Sequence, residues 1–126
     1  MRALLDTSVV IDGIPEEVEV ASLSIITFAE LQFGVEGAPD EPERQRRLAW
    51  LAALQGTFDP YPVDASVAAS WGRLAHLAVE RGRQPRRRAM DLLIAATAAA
   101  HGLVLLTNDE DLLWLGDALD VRRPMG

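Results

Sequence analysis

Apolar residues in this chain fall into two kinds of pattern, short solid blocks and longer stretches with a beat of three to four residues. "RALL" ahead of Asp6 is a block of the first kind and predicts a strand, and "VEVASLS" at residues 18–24 alternates well enough to predict a second. "SIITFAELQFGVEG" has the helical beat, with Ser24 placed as an N-cap and Gly34 or Gly37 near its end. After a loop marked by Pro39 and Pro42, "PERQRRLAWLAALQG" carries the apolar stripe Leu48, Leu51, Ala52 and Leu54 and stops at Gly56. "FDPYPV" is an edge strand at best, because Pro60 and Pro62 cannot donate ladder hydrogen bonds.

Asp64 then caps a helix over 64–81, in which Val67, Trp71, Leu74, Ala75 and Ala78 recur at helical spacing. "GRQPRRR" reads as a loop, and "RAMDLLIAATAAAHG" as a helix ended by Gly102. "LVLL" at 103–106 is apolar on both faces, as a buried parallel strand is. "TNDEDLLWLG" predicts a turn and one or two helical turns, followed by a weak strand around 119–121. Strands that alternate with helices imply a parallel sheet covered on both faces, and such sheets bind ligands beyond the carboxyl ends of their strands. Repeats, linkers and low-complexity segments are absent, so residues 1–126 are read as one domain.

The acids matter because of that rim. Asp6 follows the first strand directly, and Asp109 follows "LVLL" through Thr107 and Asn108, so both point to the same edge. Glu30 stands between Ala29 and Leu31 in the second turn of a helix that begins at that edge, and Asp91 in the first turns of the helix leading into "LVLL". Singly, the aspartates can serve as helix caps or first-turn acids, and Glu30 can face solvent. Together they would repel one another unless a cation sat among them. An all-oxygen set suits a hard ion, Mg2+ or Mn2+, and the chemistry of such a site is phosphodiester hydrolysis.

Composition narrows the alternatives. The chain has 126 residues, 49% of them hydrophobic, and no cysteine, which excludes a disulfide framework, a thiolate zinc site and a cysteine nucleophile. All 12 basic residues are arginine, so no lysine is available for a Walker-type phosphate loop, a Schiff base or a phospho-acceptor signalling domain. The net charge of −7 argues against a general nucleic-acid coat, yet Arg44, Arg46 and Arg47 form one basic cluster and Arg81, Arg83, Arg86, Arg87 and Arg88 another. An anionic pocket needs basic neighbours to hold a phosphate backbone. Arg86, Arg87 and Arg88, just ahead of Asp91, are the candidates for such phosphate-backbone contacts. The acidic first twenty residues lack a secretory pattern, and no apolar run approaches membrane-spanning length. The expectation is a cytoplasmic protein with no membrane partner.

The stretches "LLDTSVVID", "SIITFAELQFGV", "MDLLIAATAAAHGLVLLTND" and the following "EDL" resemble, in order and spacing, the PIN-domain family, in particular the VapC-type toxins of bacterial toxin–antitoxin pairs. The resemblance implies a three-layer α/β/α sandwich with a central, mostly parallel sheet in which strands one and four are neighbours. It implies an endoribonuclease that uses Mg2+ or Mn2+. The family's acids fall on Asp6, Glu30, Asp91 and Asp109, with Asp111 able to replace or assist the last. Asp6, Asp91 and Asp109 would hold the metal, with Glu30 direct or through water. Thr7 or Ser8 would orient Asp6 or a metal-bound water, and Thr107 would brace the turn before Asp109. Implied partners are a cognate antitoxin, an RNA substrate and a second copy of the chain in a homodimer, with DNA met only through the antitoxin. The alternative is a catalytically silent PIN-like binding module. Residues 36–62 match no motif.

Overall fold

The computed structural model describes residues 1–125. β1 (Arg2–Leu5), β2 (Val20–Ser22), β3 (Val104–Leu106) and β4 (Val121–Arg122) form one sheet in the order β2-β1-β3-β4. Every pairing is parallel, with Leu5 opposite Leu106 at the carboxyl end of the two central strands. Between the strands run α1 (Thr7–Asp12), α2 (Ile25–Glu36), α3 (Glu41–Thr57), α4 (Ala65–Glu80) and α5 (Ala89–His101), with 3-10 segments at Pro85–Arg88 and Glu110–Asp117.

Alternation along the strands separates two cores. Leu4 and Leu105 face a layer made by α4, α5 and the second 3-10 segment, through Leu74, Leu92, Ile94 and Leu112. Ala3, Leu5 and Leu106 face Val9, Phe28, Val35 and Leu51 of α1, α2 and α3. The sheet is thus sandwiched as expected, because side chains of period two must find apolar cover on both sides. No helix of the described residues is long and apolar enough to cross a membrane.

The helix starts follow from local chemistry. Ser24 and Asp64 cap α2 and α4 by accepting hydrogen bonds from the backbone N–H groups of Ile26 and Val67. Asp40, unnoticed in the sequence, caps α3 by accepting from Glu43 N, so Pro42 lies in the first helical turn and not in a loop. Gly56 does not stop α3, which ends at Thr57. Gly102 adopts φ 64°, a left-handed turn that lets Leu103 N–H reach back to Ala98 O and redirects the chain into β3.

Two other expectations change. "FDPYPV" contributes only a single bridge, in which Tyr61 pairs with Leu23 and Ile25 through its N–H and C=O, because the flanking prolines have no N–H to extend the ladder. "LVLL" is therefore the third strand, still the neighbour of the first. The end of "GRQPRRR" is a 3-10 turn, where Pro85 presets the backbone.

Candidate functional site

The carboxyl ends of β1 and β3 are tied together by Asp6 N donating to Leu106 O at 2.9 Å. Immediately beyond them, Asp6 is 4% exposed. It occupies the N-cap position of α1, yet its side chain makes no capping bond. Its Oδ2 instead accepts from Ser8 Oγ and Thr107 Oγ1, both at 2.8 Å. Oδ1 receives no hydrogen bond from the described residues. Thr107 Oγ1 in turn accepts from Asp109 N at 3.0 Å, so one buried hydroxyl positions two of the acids. Ser8 Oγ accepts from Asn108 N, and the Asn108 amide donates to Asp12 Oδ2 at 3.0 Å, which pins the β3 loop onto α1.

Glu30 projects from α2 toward the same rim. Its Oε1 accepts from Thr7 Oγ1 at 2.7 Å, and the Thr7 hydroxyl also lies 3.2 Å from that of buried Thr27. Burial pushes the Glu30 carboxyl above its ordinary range, against the Thr7 hydrogen bond, and the charges of Asp91 and Asp6 push it further. Glu30 opens on a cavity of about 480 Å³ lined also by Thr7, Ile11, Leu31 and Trp50.

Asp91, Asp109 and Asp111 meet around one guanidinium. Arg88 Nε donates to Asp91 Oδ2 at 2.6 Å, Nη2 donates to Asp109 Oδ2, and Nη1 donates to Asp111 Oδ2 at 3.3 Å. Asp109 also does the bland work expected of it, capping the following 3-10 segment by accepting from Asp111 N. Among the described residues no three acidic or histidine side chains close on a common point as they would around a metal. The donor set still suits a hard cation: the candidate side chains all offer oxygen, Asp6 has an Oδ1 with no donor among the described residues, and burial with the charges of Asp91 and Asp6 disfavours an ionised Glu30, a penalty that a cation would relieve.

The basic residues divide sharply. Arg86 and Arg87 are exposed and make no ion pair among the described residues, whereas Arg88, grouped with them from sequence, is spent on carboxylates. Arg44, Arg46 and Arg47 are likewise taken up, by Glu41, Glu43 and the carbonyl of Gly34. Neither histidine reaches the acids: His76 pairs with Glu80, and His101 stacks on Tyr61. Trp114 is covered by Arg83, while Trp50 lines the Glu30 cavity. Sequence reasoning passed over Thr27, Asn108 and Asp12. Thr27, three residues before Glu30 on the same helical face, carried a readable signal.

Residues 3–116 match the family model described as "PIN domain". The chain belongs to the PIN-domain family. Among relatives of this PIN domain, Ribonuclease VapC5 of Mycobacterium tuberculosis is 38% identical over 108 residues, 86% of this chain and 76% of that one. Ribonuclease VapC4 of the same organism is 36% identical, with 92% of each chain covered. In three dimensions the PIN domain superposes on VapBC-5 of M. tuberculosis, a member of the VapBC family of toxin–antitoxin systems, with a TM-score of 0.83, 34% identity and full coverage of both chains. FitAcB from Neisseria gonorrhoeae gives a TM-score of 0.80 at 28% identity, with 97% of each chain covered. All four acids of this PIN domain, Asp6, Glu30, Asp91 and Asp109, lie within the matched segment.

Proposed function

We propose that this PIN domain is the ribonuclease toxin of a toxin–antitoxin pair and hydrolyses RNA phosphodiester bonds at Asp6, Glu30, Asp91 and Asp109 with Mg2+ or Mn2+. The observation that carries the reading is the Asp6–Thr107–Asp109 arrangement, in which one buried hydroxyl ties the Asp6 carboxylate to the backbone N–H of Asp109 across two separate strand ends. Its relatives named ribonuclease VapC supply the reaction class.

Asp6, Asp91 and Asp109 would hold the cation, with Glu30 beside them. When bound, such an ion draws charge from the phosphate and lowers the pKa of a coordinated water. The chain's own groups do the rest. Ser8 and Thr107 hold Asp6 through Oδ2 and leave Oδ1 without a donor among the described residues, and Thr7 keeps Glu30 Oε1 engaged, leaving Oε2 to take a proton from the attacking water. Arg86 and Arg87, exposed in the turn that leads to Asp91, supply contacts to the RNA backbone.

The antitoxin partner belongs on the face of the first helices. There Ile11 and Phe33 are 62% and 82% exposed, and Trp50 borders the cavity that reaches Glu30. Apolar side chains left this open suit an amphipathic segment laid into a groove. The second reading, a catalytically silent module, draws support from Arg88 filling the acid cluster. Incubating the partner-free protein with RNA separates the two. The toxin reading expects cleavage in Mg2+ or Mn2+ that stops in chelator, and cleavage undiminished in chelator overturns the metal-dependent mechanism.

A further inference from the structure

The acid cluster carries its own cation. Arg88 sits where the 3-10 turn Pro85–Arg88 meets α5, at the N-cap position of that helix, and offers it no side-chain cap. The guanidinium is turned instead onto Asp91, Asp109 and Asp111, each of its three nitrogens addressing a different carboxylate. A planar fork of five donors suits this task, and no other side chain spreads one charge over three acids in this way. The arginine is held firmly in its charged form by these partners.

Asp6 and Glu30 lie outside the fork, so the site is neutralised on one side only. Two of the three engaged carboxylates, Asp91 and Asp109, are also those proposed to hold a divalent cation. The same Oδ2 atoms cannot serve both ions at close range, because two cations sharing them would repel.

We propose that Arg88 is a displaceable counter-ion, a tethered cation that occupies Asp91, Asp109 and Asp111 until a divalent cation competes it away. This rests on the metal site of the proposed function. The fold provides somewhere for the side chain to go. A cavity of about 320 Å³ adjoins it, lined by Gly82, Gln84, Pro85, Arg87 and Leu92, and the strand of chain leading to Arg88 turns at Gly82 with φ 72°, a conformation that favours glycine. Free apo protein therefore has its acids held together without metal, and cation binding must work against the internal pair.

Mn2+ binding to the partner-free protein, measured by titration calorimetry without RNA, tests this. Arg88→Gln is expected to bind Mn2+ more tightly than the wild type, by the roughly 5- to 150-fold typical of coupled ligands, with Arg88→Lys between them. Arg88→Gln should also melt lower in chelator and gain more on adding Mn2+. Equal affinities in wild type and Arg88→Gln overturn the counter-ion while leaving the metal site standing, and no binding in either protein overturns both. Should Arg88→Gln fail to fold, the wild type alone suffices. Its Arg88 Nε–H resonance is expected to be protected from exchange in chelator and to lose that protection as Mg2+ is added. A resonance indifferent to saturating Mg2+ refutes the displacement.

Discussion

Asp6 stands at the N-cap of α1 and takes its hydrogen bond from the hydroxyl of Ser8, not from a backbone N–H of the helix. An aspartate that caps a helix has its oxygen on the N2 or N3 amide. Here the residue has the address of a cap and the contacts of a ligand, with Thr107 as its second donor. Asparagine keeps a side-chain oxygen for both hydroxyls and loses only the charge. Asp6→Asn is therefore expected to stay within about 1 kcal/mol of wild-type stability. RNA cleavage should fall by at least the 10- to 100-fold seen when a partner of a metal ligand is lost. Urea melts and gel-based cleavage assays on the same preparation check both halves.

Thr107 offers a different kind of test, because it is fully buried and bridges Asp6 to the Asp109 backbone. Thr107→Val preserves the shape and strands two polar partners. A loss of about 1–3 kcal/mol is expected, with Thr107→Ser retaining most of the stability. A valine variant as stable as wild type would mean that the bridge does not hold the rim.

Glu30 predicts a pH trend. Its folded carboxyl is raised above the ordinary value of 4.5, chiefly by burial and then by Asp91 and Asp6, against the Thr7 bond. The folded protein thus holds this proton more tightly than the unfolded chain. The stabilising contribution is complete below the unfolded value and is lost as pH rises through the folded one. In chelator, the melting temperature of Glu30→Gln relative to wild type should climb as pH is raised above about 4.5 toward neutrality. A gap that stays constant with pH counts against a strained, uncompensated carboxylate.

The basic clusters can be told apart by salt. Arg86 and Arg87 are exposed without ion pairs among the described residues, whereas Arg44, Arg46 and Arg47 are engaged by acids of their own helix. Replacing Arg86 and Arg87 with Gln should weaken RNA binding and reduce the slope of log affinity against log salt by up to ~0.7 per lost contact. The same change at Arg44 and Arg46 should leave the slope alone. The reverse result would move the RNA path to α3.

The convergence of Asp6 and Asp109 was legible because Asp6 directly follows one apolar block and Asp109 follows another with two residues between, and in a parallel sheet all such ends share one rim. Arg88 was not legible as anything but one of three equivalent arginines. Only the turn onto α5 separates it from Arg86 and Arg87, although its position three residues before Asp91 is a pairing distance on a helix. The wall that α3 contributes to the Glu30 cavity, through Glu43, Arg47 and Trp50, was invisible for a further reason. It depends on how α3 packs across α2, and amphipathic periodicity says which face is buried but not against whom.

The bond between Thr107 and Asp6 spans 101 positions of sequence. Because β3 lies beside β1, no stretch of chain that stops before it contains a completed rim, however well its own helices form. During synthesis the amino-terminal acids emerge early, while the hydroxyl that orients Asp6 and the partner acid Asp109 emerge near the end. A growing chain at the ribosome therefore lacks a completed rim until β3 has emerged and paired with β1, so the order of its own elements sets when the site can form.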